Sequence, residues 1–600
     1  MNSAIRQTVC LLALISSGLA TAIAAGDPVD ALLARMTLDE KIGQMTQVDL
    51  AALKDRSDVQ KYFLGSVFSG GDSDPADNRP ATWLQAVTEI RAQALQTRLK
   101  IPLLYGVDAV HGHNNILGAV IFPHHIGLGA THDPALVEKA EHVSAEEIAG
   151  TGIRWAFAPC VAVSRDSRWG RSYESFGQSP ELVSELGAAS VRGFQGDHLG
   201  KNSVLACVKH FVGDGGTENG KDQGNTVCDE ATLRKVFLPP YAAAIKAGAQ
   251  SIMVSFSSWN GQKMHGNKYL LTDVLKNEMG FQGFLVSDWA AIDQLSPDYK
   301  NDIETSINAG LDMAMVPNGP GAKNNYREFI ADLKDLVAAG KVSQARIDDA
   351  VRRILRVKFQ MGLFDAIDNP ALTSAIGSPE HRQVARECVS ESLVLLKNSN
   401  HALPLKKNLK HIAVAGKGAD DIGIQCGGWT INWQGKPGDV TTGGTTLLAA
   451  IKKTVSPETQ VVYSPDGRDL QSPDVVIVTV GEQPYAEFKG DRPELNLAPE
   501  DAALIARVKA AHVPVIALLY SGRPLVLGSA LDQSDAFIAA WLPGTEGQGM
   551  ADVLFGDRMP SGKLPRLWPA NNEQLSVDHL VGDPLFPVGF GLTYDYLTRK

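Results

Sequence analysis

The chain has no surplus of basic residues. Its 56 lysines and arginines are outnumbered by 67 aspartates and glutamates, for a formal charge of −11 over 600 residues. A nucleic-acid partner is therefore not expected, because binding a duplex requires cations to neutralise its phosphates. Cysteine is scarce, with six residues in all. Cys10 lies near the N-terminus, and Cys160, Cys207, Cys228, Cys388 and Cys426 are spread over the rest. That odd, wide spacing excludes a disulfide framework, and no Cys-x-x-Cys pair offers a metal or redox motif. No low-complexity tract or internal repeat occurs, and no stretch reaches the roughly 18 uninterrupted apolar residues of a membrane span. His111, His113, His124 and His125 lack the His-Glu-x-x-His type of spacing, so no metal and no other cofactor is expected.

What is present begins with a targeting segment. Arg6 supplies a positive start, residues 9–19 are apolar, and Ala22-Ile23-Ala24 offers small residues for cleavage. This pattern predicts a signal peptide over residues 1–25 and a secreted protein, periplasmic or extracellular, with no membrane contact after cleavage. The remaining length predicts two domains.

From 26 to 365, near-continuous apolar runs alternate with helical patterns. The runs fall at 65–68, 102–105, 155–158, 204–207, 251–254, 283–286 and 313–315, and clear helical patterns at 134–150 and 343–361. Apolar runs of this kind suit parallel strands buried on both faces, so the alternation predicts a (β/α)-barrel, complete or nearly so. Polar groups follow one run after another: Asp108 and His111, Arg165 to Arg171, Lys209-His210, Ser257-Ser258-Trp259 and Ser287-Asp288-Trp289. In a barrel these ends converge on one face, where active sites are built.

Residues 366–385, with Asn369-Pro370 and Ser378-Pro379, read as a linker. Residues 386–600 then carry strands at 412–415, 475–480, 515–519 and 537–540 with helices between, which predicts an open, mainly parallel sheet and a short C-terminal tail.

Three places offer chemistry. Asp288 ends an apolar strand beside Trp289, a flat face for a sugar ring; an aspartate capping the next helix is the competing reading, and position alone does not separate them. The loop Gly481-Glu482-Gln483-Pro484-Tyr485-Ala486-Glu487-Phe488-Lys489-Gly490-Asp491 follows a strand's carboxyl end, a common ligand position, although a surface charge cluster also fits. Trp429 and Trp433 lie among glycines and polar residues, which favours stacking on sugar over a place in the core. Gly544-Thr545-Glu546-Gly547-Gln548-Gly549 lacks both dinucleotide and P-loop spacing and reads as a tight strand–helix turn.

The run Lys209-His210-Phe211-Val212-Gly213-Asp214-Gly215-Gly216-Thr217, the Val286-Ser287-Asp288-Trp289 motif and the Gly481 to Asp491 loop together resemble glycoside hydrolase family 3. The likeness is to its exo-β-1,3/1,4-glucanase and β-glucosidase branch, and it runs from near residue 30 to the Gly589-Phe590-Gly591-Leu592-Thr593-Tyr594 tail. The resemblance implies an N-terminal (β/α)8-type barrel followed by an open α/β sandwich. It implies a retaining, exo-acting β-glucosidase working by double displacement on β-linked glucose oligosaccharides or glucans, as a monomer or weak homodimer. Asp288 would be the nucleophile and Glu487 the acid/base, with Glu482 the competing assignment. The two carboxyl groups would lie about 5–5.5 Å apart, so the second domain must lean over the barrel mouth. Asp108, Arg171, Lys209, His210 and Asp214 would bind the glucose hydroxyls, and Trp289 and Trp433 would clamp the next sugar. Phe256, the stretch from Ala290 to Gln294, and Gln223 depart from the plant pattern, so the resemblance does not set linkage preference. The alternatives are a β-xylosidase or β-N-acetylglucosaminidase of the same family, or a non-catalytic periplasmic glucan-binding protein.

Overall fold

The computed structural model describes residues 27–365 and 370–594; the expected signal segment at 1–25 lies outside them. Strands β1 (Thr46–Asp49), β2 (Ser66–Ser69), β3 (Leu104–Val107), β4 (Trp155–Ala156), β5 (Leu205–Phe211), β6 (Ser251–Val254), β7 (Phe284–Val286) and β8 (Ala314–Val316) form one sheet. Its spatial order is β7-β6-β5-β4-β3-β2-β1-β8, and neighbouring strands run parallel. A bridge between Val286 and Met313 brings the two edges together, so the sheet closes into the expected barrel.

The interior is filled by large side chains. Phe157 meets Phe68 and Trp155 edge-on at 6.0 and 5.1 Å, and Trp155 meets Phe284 at 5.2 Å. Seven strands coincide with apolar runs because both faces are buried. β1 does not: its sequence is Thr-Gln-Val-Asp, yet every residue is buried. Gln47 Nε2 donates to Ser66 Oγ at 2.8 Å and Thr46 Oγ1 to the Ile42 carbonyl at 2.9 Å, which lets polar groups enter this strand.

The second domain contains β9 (Val394–Asn398), β10 (His411–Ala415), β11 (Gln460–Ser464), β12 (Val475–Gly481), β13 (Val515–Tyr520) and β14 (Ala536–Trp541) in the order β9-β14-β13-β12-β10-β11. Only β9 runs antiparallel to its neighbour, so the sheet is open and mainly parallel as expected. Alternate residues serve opposite layers. Val476, Val478 and Leu519 share a cluster with Val110, Ile126 and Tyr173 of the barrel domain. Val475, Ile477 and Ile516 pack instead with the helices Leu447–Thr454 and Gln548–Leu554. That first face of the sheet thus packs partly on the barrel unit and partly under the helix Pro499–Lys509 of its own domain.

The stretch expected as a linker is corrected in part: Pro370–Ala375 and Pro379–Ser392 are helices. Pro379 marks a start, not a break. It occupies the first helical turn, where a missing N–H costs nothing, and Ser378 caps it by accepting from the His381 backbone N–H. The Gly544 to Gly549 segment links the domains: the Thr545 N–H donates to the Ile121 carbonyl at 2.9 Å, and Glu546 pairs with Arg382. Among the described residues no helix is long and apolar enough to cross a membrane. The five described cysteines are free thiols.

Candidate active site

The strand ends of the barrel and two loops of the second domain enclose a cavity of about 340 Å³. Its walls include Asp108, Arg171, Lys209, His210, Asp288 and Trp289 from the barrel domain, and Trp429, Trp433, Glu487 and Phe488 from the other. A larger space of about 810 Å³ lies at the carboxyl ends of β10 and β12 and is lined by Glu482, but by neither Asp288 nor Glu487. The smaller cavity is the candidate site, because Asp288 and Glu487, both with raised pKa values, line it together.

Asp288 follows β7 by two residues. The Ser287 hydroxyl accepts from the Met315 N–H at 2.8 Å, which fixes the chain at this point. Asp288 Oδ1 accepts from the Trp289 N–H at 2.7 Å, whereas the buried Oδ2 accepts no hydrogen bond. His210 Nε2 lies 3.6 Å from that free oxygen. Burial raises the Asp288 pKa to about 6, against the pull of Arg171 and Lys209.

Glu487 opens the 3-10 turn Glu487–Gly490 with a positive φ of 54°. Its Oε1 lies 3.1 Å from Arg171 Nη1. Burial lifts its pKa to about 8; Arg171 opposes the rise, and Asp222, Glu174 and Asp288 add to it. Besides Asp108, the cavity therefore holds Asp288 and Glu487 with separated acidity, the weaker acid on the second domain. Glu482 is differently placed: it accepts from Tyr485 Oη, the Gly522 N–H, Arg492 and Arg523, which occupies both of its oxygens.

The charged floor is a connected set. Arg171 makes a paired contact with Glu174 at 2.9 and 2.8 Å, and its Nη2 lies 3.3 Å from His210 Nε2. His210 Nδ1 lies 2.9 Å from Asp214 Oδ2, so the ring donates there and accepts from Arg171. Burial and the two nearby cations hold the His210 pKa well below its usual value, which keeps the ring neutral. Asp214 stands behind His210, outside the cavity lining, with its pKa raised to about 7 by burial. Lys209 Nζ donates to Asp108 Oδ1 at 3.3 Å.

Aromatic faces guard the opening. Trp289 is 42 % exposed and Phe488 45 %, while Trp433 meets Phe488 at 5.7 Å. Trp429 is buried and donates from Nε1 to Glu174 Oε1 at 3.2 Å, so it braces the floor as well as lining it. The barrel holds this tryptophan loop by its backbone: His111 Nε2 lies 3.1 Å from the Trp429 carbonyl, and His124 Nε2 3.0 Å from that of Gly428. Ser257, Ser258 and Trp259, at another strand end, do not line the cavity.

Contacts at the seam keep Glu487 over the barrel. Arg523, fully buried, donates from Nη1 to the Ser167 and Arg168 carbonyls and from Nη2 to that of Gly490. Asp491 accepts from the Gly170 and Asp222 N–H groups, each at 2.8 Å. A Cβ on Gly170 would lie 2.0 Å from the Glu487 carbonyl, so only glycine permits this approach. Glu174, His265 and Arg523 are not among the sequence candidates, and only Glu174 carries a signal, three residues after Arg171; Phe488 enters only as part of the Gly481 to Asp491 loop.

Paired carboxyl groups of unlike acidity, a charged floor and aromatic walls define a glycoside hydrolase. The comparisons identify which. Residues 37–357 match the glycosyl hydrolase family 3 N-terminal domain and residues 393–594 its C-terminal domain. The chain belongs to glycosyl hydrolase family 3. It is 33% identical to a periplasmic β-glucosidase of Salmonella typhimurium, over 94% of this chain and 80% of that one. It superposes on the exo-1,3/1,4-β-glucanase of a Pseudoalteromonas species with a TM-score of 0.90 at 42% identity, over 95% of this chain and 74% of that one. A mutant β-glucosidase of Listeria innocua solved with laminaribiose matches at 30% identity and a TM-score of 0.81, covering 94% and 83%.

Proposed function

We propose that this chain is a retaining, exo-acting β-glucosidase that releases glucose from the non-reducing ends of β-glucans or of cello- and laminari-oligosaccharides. The observation that carries the reading is the meeting of Asp288 and Glu487, from different domains, in one cavity. Asp288 attacks the anomeric carbon through its unengaged Oδ2, while Glu487 protonates the departing oxygen. A covalent glucosyl-enzyme results. Glu487, now ionised, draws a proton from water, which displaces Asp288 and restores the β configuration.

Asp108, Lys209, Arg171 and His210 bind the glucose hydroxyls, and ionised groups suit that task because their hydrogen bonds are about twice as strong as neutral ones. Asp214 acts through His210 by fixing its tautomer. Trp289 and Trp433 hold the sugar that leaves. Glu482 serves instead to anchor the catalytic loop to Arg523. The N-terminal pattern at 1–25 and the likeness to a periplasmic relative support export of the protein.

The test follows p-nitrophenyl β-glucoside hydrolysis by proton NMR with wild type and Asp288→Asn, so that all glucose released comes from the cleaved unit. Glucose first released in the β form, and loss of at least about 10³-fold activity in the variant, are expected. First release of α-glucose, or near-wild-type turnover by Asp288→Asn, would refute the reading.

A further inference from the structure

Lys263 stands on the short strand Gln262–Lys263, paired with Ser258–Trp259 at the barrel's mouth. Its Nζ donates to the Phe256 carbonyl and to Gln294 Oε1, each at 2.8 Å, and lies 3.5 Å from the Gln223 carbonyl. Three neutral oxygens thus take the three donors of the ammonium. The group is half-buried, and burial alone lowers its pKa, with no carboxylate to offset the effect.

The position of this charge matters. Phe256 and Gln223 both line the cavity that contains Asp288. The Lys263 charge is also felt by His265, whose Nε2 accepts from the Asp288 N–H at 3.3 Å. Lys263 does not itself line the cavity; it stands directly behind Phe256 and Gln223, which do, on the side of Asp288, with the exposed Gln294 beside it. Gln294 is exposed and Gln223 half-exposed, so the Gln294 amide can swing away and leave one ammonium donor for a ligand.

We infer that the leaving-group side prefers β-glucosides whose leaving group carries a carboxylate, as in a β-glucosyl hexuronate, with Lys263 as its partner. The inference rests on the β-glucosidase reading of the cavity. A half-buried ammonium with neutral partners gains most from an arriving anion. If Lys263 only ties the two loops together, charge on the leaving group will not matter.

The experiment measures kcat/KM for 4-carboxyphenyl and 4-carbamoylphenyl β-glucosides, and for glucosyl-β-glucuronate and cellobiose. Wild type, Lys263→Met and Lys263→Arg are compared. Wild type should favour the charged member of each pair by about fivefold, the size of a partly exposed ion pair, chiefly through KM. The ratio should fall towards one in Lys263→Met, persist in Lys263→Arg, and shrink at high ionic strength. Using a ratio cancels any general loss of folded protein. A wild-type ratio of one, or a ratio unchanged in Lys263→Met, overturns the inference. No turnover of the neutral glucosides by wild type would instead refute the β-glucosidase reading beneath it.

Discussion

Replacing Glu487 with glutamine keeps the side chain's size and removes its transferable proton. Free-enzyme kcat/KM needs Asp288 ionised and Glu487 protonated. With pKa values of about 6 and about 8, both groups are roughly nine-tenths in their working forms at pH 7, and activity falls on either side. In Glu487→Gln the acid limb, governed by Asp288, should remain and the alkaline limb near pH 8 should vanish. The size of the loss should depend on the leaving group. A sugar alcohol needs the proton, so laminaribiose should lose about 10²–10⁴-fold, or roughly 3–5 kcal/mol of barrier stabilisation. Dinitrophenolate leaves without help, so kcat/KM for 2,4-dinitrophenyl β-glucoside should change little. The assay is a pair of pH profiles from 4 to 10, one per substrate. An alkaline limb that persists in the variant, or equal losses on both substrates, would refute the assignment of Glu487 as the acid.

Three further outcomes follow from the same geometry. Gly170→Ala adds a methyl group where 2.0 Å separates it from the Glu487 carbonyl, so the catalytic loop must lift; activity should drop by about 10²-fold with a native circular dichroism spectrum, as expected for misplacing a catalytic group by about 1 Å, and near-normal activity would contradict the seam described above. Trp433→Ala should raise KM for cellobiose by about fivefold through lost stacking and leave dinitrophenyl glucoside kcat nearly unchanged, and equal effects on both would place the residue elsewhere. Because the folded-state pKa of Glu487 is raised above its ordinary 4.5, the wild type loses stability as pH rises from that value through about 8. Glu487→Gln should therefore exceed wild type in unfolding free energy at pH 9, by on the order of 5 kcal/mol and visible as a higher Tm, with no gain at pH 4, and an equal difference at both pH values would refute the raised pKa.

Much of this was legible in the sequence where one physical constraint dominates. Strands β2 to β8 are buried on both faces, so they stand out as apolar runs. β1 escaped because Gln47 and Thr46 donate inside the fold to Ser66 and a helix carbonyl, and composition does not reveal a partner. β9 and β11 lie at the sheet's edges, where β11 is largely half-exposed and so less apolar in pattern. Pro370 and Pro379 look like breaks in the sequence, yet each begins a helix. At the site, Asp288 and the Gly481 to Asp491 loop were visible as strand ends carrying charge. The division of labour between Glu482 and Glu487 was legible only through the family resemblance, since both follow the same strand. It is set by Arg523, remote in sequence, which engages the first and leaves the second to meet Arg171. Arg523 itself gave no sign, because its partners are mainly backbone carbonyls that only the assembled domains bring together.

Catalysis in this cavity requires Asp288 to form a bond to sugar beneath the second domain's loops. Incubation with 2-deoxy-2-fluoro-β-glucosyl fluoride slows release of the intermediate, and peptide mass spectrometry then locates the attached sugar. One fluoroglucosyl group per chain, carried by Asp288, is the predicted result. A label on any other side chain, or full turnover with no trapped sugar in a protein that retains the anomeric configuration, would contradict it.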